Sequence, residues 1–391
     1  MSIVKRIFAV LTFGLLLNVT DLHAQHARAP IMGWSSWNNF RIHINEQMIR
    51  EQADAMITSG LYDVGYRFIN IDDGYFGGRN AAGYLYEDST KFPSGMKALA
   101  DYIHSKHLKA GIYSDAGRNT CGSIWDNDKK GIGVGMYAYL DQDCESFFTK
   151  WGYDFLKVDW CGGEKMGLDE KTEYLKIIDR ISTLNKDIVF NICRWQFPGD
   201  WAIKVADSWR ISGDISAKFS SIMHIIDLNA DLYKYSSAGH YNDMDMLQVG
   251  RGMTFEEDKT HFSMWCMLNS PLLAGNDLRN MSAQTLSILK NKEVIAINQD
   301  PGFEQARRVF TDGKIEVWTR RLGQSLNEGH AVAILNRSDA PVTYSFTPGK
   351  FNLSEKTKIR DLWKQADLGK IGKVRKFEIP VHGIVLLRTN E

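Results

Sequence analysis

The sequence predicts an α/β protein in which a (β/α)8 TIM barrel is followed by a smaller antiparallel β-sandwich domain. Eight short apolar runs alternate with segments of helical period between residues 30 and 300, which is typical of parallel strands joined by helices. Polar side chains, mostly aspartates, fall at or just after the C-terminal ends of these runs. In such barrels that face carries the active site. Beyond Pro301 the pattern changes to period-two alternation, which predicts the second domain.

Residues 1–24 have the features of a signal peptide. Lys5 and Arg6 precede an apolar run over residues 7–17, and a small residue, Ala24, marks a cleavage position before Gln25. The run is too short for a stable membrane span. We therefore expect a soluble, exported protein, periplasmic or secreted, that is cleaved near Ala24.

The barrel domain is predicted to cover residues 25–304. Its eight strands are expected at residues 31–34, 67–71, 109–113, 155–158, 188–192, 208–211, 240–242 and 272–275. Helical period is clearest at residues 46–59, 96–106, 142–151 and 171–184.

The C-terminal domain is predicted to cover residues 305–391 and to pack against the barrel. Its strands are expected at residues 314–319, 330–335, 342–346, 358–363, 374–379 and 383–387. It contains few clustered residues of catalytic type, so we expect it to stabilise the barrel and not to carry the chemistry.

Charge and cysteine content exclude several classes of function. The chain has 47 basic and 47 acidic residues and a formal net charge of zero, which argues against nucleic acid or an anionic membrane as a partner. The five cysteines show no C-x-x-C spacing, and the glycine-rich stretch at residues 77–83 does not open a nucleotide-binding helix. We therefore expect neither a metal nor a cofactor. The sequence leaves the oligomeric state open.

Two aspartates suit glycoside hydrolysis, which uses a pair of carboxyl groups. Asp159 ends the predicted strand 155–158, and Lys157 lies two residues before it on the same side. A nearby cation keeps a carboxylate ionised, as a nucleophile must be. Asp214 lies in a loop after Ser212 and Gly213, four residues beyond Arg210, and is the candidate acid/base. The eleven tryptophans and fifteen tyrosines also suit a site that stacks on sugar rings.

Several segments resemble glycoside hydrolase family 27, the α-galactosidase or melibiase family. The matching segments are APIMGWSSWNNF (29–40), FINIDDGY (68–75), the stretch 91–117, DFLKVDWC (154–161), SWRISGDI (208–215), GHYNDMDMLQVG (239–250), SPLLAGNDL (270–278), AINQDPGF (296–303) and PVHGIVLLR (380–388). They occur in the family's order over nearly the whole chain after the signal peptide.

The resemblance implies a substrate with a terminal α-galactose and roles for individual residues. Asp159 would be the nucleophile and Asp214 the acid/base of a retaining mechanism, with the two carboxyl groups about 5–5.5 Å apart. Asp72 and Asp73 would bind O4 and O6 of the sugar, and Lys157 would bind O3 and O4. The remaining substrate-binding residues that it implies are Trp37, Tyr113, Cys193, Arg194, Trp195, Arg210 and Asp243.

More specific expectations also follow from the resemblance. Arg210 would bind O2, Tyr113 would contact the nucleophile, and Trp37 would form an apolar wall near C6. Cys121 and Cys161 match a pair of cysteines in the family, which implies a disulfide between them. Arg194 stands where many relatives have glutamate, and a long cation near O2 would leave little room for a 2-acetamido group.

Three alternatives stay open at this point. A β-L-arabinopyranosidase would act on a sugar that lacks only the C6 hydroxymethyl group, and the presence of both Asp72 and Asp73 favours galactose over it. An α-N-acetylgalactosaminidase is a further possibility within the same chemistry. A non-catalytic galactose-binding protein belongs to a different class. Loss of catalysis would most easily occur by loss of Asp159 or Asp214, and both are present.

Overall fold

A computed structural model of the chain describes residues 28–184, 186–325 and 328–390. The predicted signal peptide, residues 1–24, lies outside the described residues. Within these three ranges no helix is both long enough and apolar enough to cross a membrane.

The N-terminal part forms a barrel of eight parallel strands. In chain order they are Met32–Ser35, Phe68–Asn70, Lys109–Asp115, Phe155–Asp159, Val189–Cys193, Ser208–Arg210, Tyr241–Asp243 and Leu272–Ala274. The first seven strands pair consecutively in the order of the chain, and the eighth, Leu272–Ala274, pairs with the first. A parallel bridge between Leu247 and Ala274 closes the ring. All eight predicted strands are confirmed, with ends that differ by at most two residues.

The register of the strands explains why the polar residues meet at one end. Asp115 lies opposite Asp159, and Asp159 lies opposite Cys193 on the next strand. Side chains alternate along a strand, so Leu156 and Val158 are buried on the face opposite Lys157 and Asp159. The aspartates therefore gather at the C-terminal mouth of the barrel.

Helices surround the barrel. They are Trp37–Phe40, Glu46–Thr58, Met96–Ser105, Cys121–Trp125, Leu140–Cys144, Cys161–Met166, Glu170–Ser182, Phe219–Asn229, Phe255–Met267, Ala283–Leu289 and Lys292–Asn298. Several begin at a side-chain cap: Asn45 accepts a hydrogen bond from the backbone N–H of Met48, and Thr254 and Glu257 form a capping box.

One predicted helix, at residues 142–151, differs from the structure. An α-helix, Leu140–Cys144, continues as a π-helix over Glu145–Lys150. A π turn is wider than an α turn, and here Ser146, Phe147 and Phe148 are all buried. Three consecutive buried residues do not fit the α-helical period from which the helix was predicted.

A hairpin of Phe76–Arg79 and Leu85–Glu87 was not predicted. Its glycines, Gly77 and Gly78, weaken the strand pattern in the sequence. The hairpin carries Arg79, whose guanidinium forms a buried ion pair with Asp143 and donates hydrogen bonds to four backbone carbonyls. Arg79 thereby ties the loop after residue 117 to the hairpin.

The C-terminal domain is an antiparallel β-sandwich, as predicted. Its strands are Arg307–Thr311, Ile315–Arg321, His330–Asn336, Val342–Phe346, Lys358–Asp361, Ala366–Lys370, Arg375–Ile379 and Ile384–Asn390. Six of them form one sheet, and Val342–Phe346 pairs with Arg375–Ile379 in another. The first strand and Ala366–Lys370, at the two edges of the larger sheet, were not predicted. Their residues are mostly exposed or half-buried, so they lack a clear apolar alternation.

The larger sheet also packs against the barrel. Trp318, Ala333 and Leu386 belong to the same buried cluster as the barrel residues, whereas Val317 and Ile334 belong to a separate core inside the sandwich. Alternate residues of one sheet thus complete two hydrophobic cores.

The helix Phe219–Asn229 contacts the C-terminal domain at both ends. The ring of His382 stacks on Phe219, with ring centroids 3.8 Å apart. At the other end Nη1 and Nη2 of Arg337 donate to the two carboxylate oxygens of Asp227, each at 2.8 Å.

Candidate active site

A cavity of about 380 Å³ lies at the C-terminal mouth of the barrel, within the size range of ligand pockets. Asp159 and Asp214 both line it, together with Trp37, Trp125 and Trp195. A smaller cavity of about 30 Å³ is adjacent, since Lys157 lines both. Its polar lining residues are Ser35, Asn70, Asp72, Asn191, Arg210, Asp243 and Asp245.

Asp159 is the last residue of its strand and is only 5% exposed. Its Oδ2 lies 3.9 Å from Nζ of Lys157, and its buried Oδ1 has no hydrogen-bond partner within the described part of the chain. Burial raises the pKa of Asp159 to about 6, although the charge of Lys157 and a hydrogen bond with the Cys193 thiol oppose the shift. One carboxylate oxygen is therefore available to a ligand.

Lys157 is held between two carboxylates. Its Nζ lies 2.9 Å from Oδ2 of Asp72. Burial acts to lower the pKa of Lys157, but the negative charges of Asp72 and its other neighbours raise it well above the usual value. The ammonium group stays protonated and can donate to sugar hydroxyls.

The two adjacent aspartates, Asp72 and Asp73, have different surroundings. Asp72 lines the small cavity. Asp73 is fully buried, and its two oxygens accept hydrogen bonds from the backbone N–H groups of Gly74 and Gly122, at 2.8 and 2.7 Å. Burial raises the pKa of Asp73 to about 7. Asp73 therefore anchors the helix Cys121–Trp125, and its predicted contact with sugar stays a prediction.

Asp214 is the exposed member of the two candidate carboxyl groups, with 59% of its side chain accessible. Its Oδ1 lies 3.2 Å from Nη2 of Arg210. Partial burial acts to raise the pKa of Asp214, but the charges of Arg210 and Lys157, the hydrogen bond from Arg210 and the charge of Arg41 together lower it from the usual value of an aspartate.

Asp245 fixes the loop that carries Asp214. Its Oδ2 lies 2.9 Å from Arg210 Nη2 and also accepts a hydrogen bond from the backbone N–H of Ile215. The guanidinium of Arg210 also donates to the carbonyl of Ser212. Asp245 was not among the predicted binding residues. In the sequence, its position as the second aspartate of the NDMD stretch at residues 242–245, just after a barrel strand, indicates that it lies near the site.

Asp243, which was predicted to bind substrate, lines the small cavity and accepts a hydrogen bond from Asn191 at 2.8 Å. Asn191 was not predicted. It lies on the strand next to that of Asp159 and is buried.

Residues 193–195 point in different directions. The buried Cys193 thiol lies 3.7 Å from Arg210 Nη1, and Trp195 lines the large cavity. Arg194 instead forms an ion pair with Glu170, in which Nε lies 2.8 Å from Oε2. This pairing explains how a cation is accommodated there, and it gives Arg194 a structural partner outside both cavities.

Of the predicted substrate-binding residues, Asp73, Tyr113, Cys193 and Arg194 line neither cavity. The hydroxyl of Tyr113 accepts a hydrogen bond from the backbone N–H of Cys121 at 3.2 Å. Tyr113 thus fixes the backbone of Cys121, which lines the large cavity.

A disulfide joins Cys121 and Cys161, which confirms that prediction. It connects the helix Cys121–Trp125 to the segment directly after Asp159. Asp115 lies close to both sulfurs, but sulfurs that are bonded to each other offer no thiolate to a metal. Asp115 instead accepts hydrogen bonds from the backbone N–H groups of Gly117 and Gly162.

Comparisons with known proteins agree with this geometry. Residues 29–300 match the family model for α-galactosidase A, and residues 312–389 match that for the α-galactosidase C-terminal β-sandwich domain. The chain is 42% identical to α-galactosidase A of Cellvibrio japonicus (strain Ueda107), over 93% of this chain and 92% of that protein. It is 41% identical to α-galactosidase 2 of Arabidopsis thaliana, over 87% and 84%.

The crystal structure of α-galactosidase I from Mortierella vinacea is also similar, with a TM-score of 0.85 and 34% identity over 93% of this chain and 97% of that one. Two family models that follow one another along the chain, full-length relatives and a shared fold all lead to the same assignment. The chain belongs to the α-galactosidase (melibiase) family, glycoside hydrolase family 27.

Proposed function

We propose that this α-galactosidase releases terminal α-galactose with retention of configuration, with Asp159 as nucleophile and Asp214 as acid/base. The observation that carries the proposal is the contrast between the two carboxyl groups in one cavity. Asp159 is buried, and one of its oxygens has no hydrogen-bond partner among the residues that the structure describes, whereas Asp214 is exposed on a loop. A nucleophile needs a fixed position against the sugar, whereas an acid/base must reach the leaving group and then water.

Two steps complete the reaction. In the first, an oxygen of Asp159 forms a bond with the anomeric carbon, the bond to the aglycone oxygen breaks, and Asp214 gives its proton to that oxygen. In the second, Asp214 takes a proton from water, the water oxygen bonds to the anomeric carbon, and Asp159 is released as a carboxylate. Each step inverts the anomeric carbon, so the net result is retention.

The small cavity supports the choice of sugar. Asp72 and Asp243 accept hydrogen bonds, and Lys157 and Arg210 donate them, so hydroxyls can be bound as donors and as acceptors. We assign Asp72 to the hydroxyls on the C4 and C6 side of galactose, Lys157 to O3 and O4, and Arg210 to O2.

Export is also part of the proposal. The predicted signal peptide at residues 1–24 suggests it, and the Cys121–Cys161 disulfide is consistent with an oxidising compartment.

Azide rescue of two variants tests both roles. In Asp159→Gly, azide can occupy the space of the missing carboxylate and displace the aglycone of an activated aryl α-galactoside, giving the β-galactosyl azide. In Asp214→Gly, azide attacks the galactosyl-enzyme and gives the α-galactosyl azide. Asp101→Asn, at an exposed ion pair with Lys97, is the control and should keep wild-type activity. Azides of the opposite configurations, or full activity of Asp159→Gly, would contradict the assignment.

The choice of sugar is tested by kcat/KM of the wild type on aryl α-galactoside, β-L-arabinopyranoside and α-N-acetylgalactosaminide. We expect galactoside to be preferred, since a missing hydroxyl contact leaves polar groups of the site unpaired. Preference for the arabinopyranoside would show that C6 contributes no binding.

A further inference from the structure

The side chain of Trp125 is unusually exposed for its type. It is 66% exposed, more than the other exposed large apolar side chains of the described chain. A single exposed apolar residue on a protein surface is ordinary. Trp125, however, lines the same cavity as Asp159 and Asp214, so its exposed ring faces a ligand site.

The helix that ends in Trp125 is fixed in place at its start. Its first residue, Cys121, is bonded to Cys161, and the backbone N–H of Gly122 donates to Asp73 at 2.7 Å. A side chain at position 122 would clash, because its Cβ would lie 2.8 Å from both Asp73 Oδ2 and the Ile42 side chain. Glycine at this position therefore allows the helix to pack closely against the barrel.

The residue after Trp125 is fixed as well. Both carboxylate oxygens of Asp126 accept hydrogen bonds from Arg41, at 2.6 and 2.8 Å, and a bidentate pair of this kind sets orientation. The Arg41 guanidinium lies over the ring of Trp37, 4.8 Å from its centroid. Trp125 therefore lies on a segment that is held at both ends. The Arg41–Asp126 ion pair connects this segment to Trp37.

The position of the two carboxyl groups indicates which part of a substrate reaches Trp125. Galactose occupies the space next to Lys157 and the small cavity, as proposed above. The glycosidic oxygen must lie within reach of Asp214, which is exposed at the mouth. The leaving group therefore extends outward, into the part of the large cavity that the three tryptophans line.

We propose that Trp125 is a specificity-determining residue of this site, whose indole ring stacks on the sugar ring of the leaving group. A pyranose ring has an apolar C–H face that fits a flat indole, and its hydroxyls lie at the rim, where Arg41 can donate to them. This proposal rests on the proposed function and adds the residue that recognises the leaving group.

Two substrates that differ only in the leaving group test the proposal. α-Galactosyl fluoride has no aglycone ring, whereas the disaccharide galactosyl-α-1,6-glucose places glucose at Trp125. We expect Trp125→Ala to lower kcat/KM for the disaccharide about tenfold or more and to leave kcat/KM for the fluoride unchanged. Trp125→Phe, which keeps a flat ring, should recover most of the loss.

Tyr86→Ala is the matched control, because Tyr86 is an aromatic residue that is 48% exposed and lies outside both cavities. It should affect neither substrate. Equal losses on both substrates in Trp125→Ala, or no loss on the disaccharide, would overturn the proposal while leaving the proposed function intact. A wild type that hydrolyses neither substrate would overturn the proposed function, and this proposal with it.

Discussion

The protonation of Asp159 and Asp214, the two proposed catalytic residues, depends on their different surroundings. Burial raises the pKa of Asp159 to about 6, and Arg210 is the main group that lowers the pKa of Asp214. In the free enzyme a single shared proton therefore resides mainly on Asp159, whereas the first step needs it on Asp214. The pair has the same total charge whether the proton is on Asp159 or on Asp214. The proton can therefore move from one to the other without any proton being gained or lost by the pair.

The activity should therefore have an acidic optimum. As pH rises through about 6, the pair loses its last proton and no acid remains, so kcat/KM falls. Because the pKa of Asp214 is lowered, the pair gains a second proton, and loses its nucleophile, only at a pH below the ordinary pKa of an aspartate. The check is the pH profile of kcat/KM on methyl α-galactoside, whose poor leaving group needs the acid. A profile that still rises above pH 7 would contradict this account.

At the scale of single elements, the sequence predicted what periodicity and strand-end aspartates can reveal. The eight barrel strands, the sandwich and the positions of Asp159 and Asp214 in one cavity are examples. It could not predict side-chain direction after a strand ends. Asp73 follows Asp72 directly, yet it turns into the protein towards Gly122. Arg194 turns to Glu170, which lies 24 residues earlier in the chain.

Trp125 illustrates another limit of the sequence. No local pattern distinguishes an exposed tryptophan on a five-residue helix from a buried one, because the exposure depends on contacts with Cys161, Asp73 and Arg41, all distant in the chain. The contact between Asp245 and Arg210 could not be predicted for a similar reason, since Arg210 lies on a distant strand of the barrel.

The disulfide between Cys121 and Cys161 holds the first residue of the helix Cys121–Trp125. The bond closes a loop with a sequence separation of 40, so its loss in the double variant Cys121→Ser/Cys161→Ser should lower the free energy of unfolding by about 3–4 kcal/mol. Because the helix also carries part of the cavity wall, kcat/KM should fall. Urea unfolding measures the first effect, and reduced wild type should behave like the variant. An unchanged unfolding midpoint would show that the bond is dispensable.

At the scale of the whole molecule, the two domains share one hydrophobic core. Trp318 and Leu386 of the C-terminal sheet belong to the same cluster as the barrel residues. Arg320 is buried at this junction, where it donates hydrogen bonds to the carbonyl of Cys266 and the side chain of Asn269, both in the barrel domain. We therefore expect the domains to unfold together.

Arg320→Ala should lower the free energy of unfolding by about 3 kcal/mol, because it leaves buried acceptors unpaired and opens a cavity. Its neighbour Arg321 is half exposed and pairs with Glu304 at 3.3 Å, so Arg321→Ala should cost less than about 1 kcal/mol. Urea unfolding followed by circular dichroism and by loss of activity should give one coincident transition for both variants. Two separate transitions would contradict a shared core.

The contacts at the two ends of the helix Phe219–Asn229 have a consequence for protein engineering. This helix begins shortly after Asp214, and the C-terminal domain holds it through His382 at one end and Arg337 at the other. A chimera that combines this barrel with the sandwich of a relative must therefore preserve both contacts and the spacing between them. Such a graft also changes the support of the loop that carries Asp214, even though its junction lies far along the chain from Asp214.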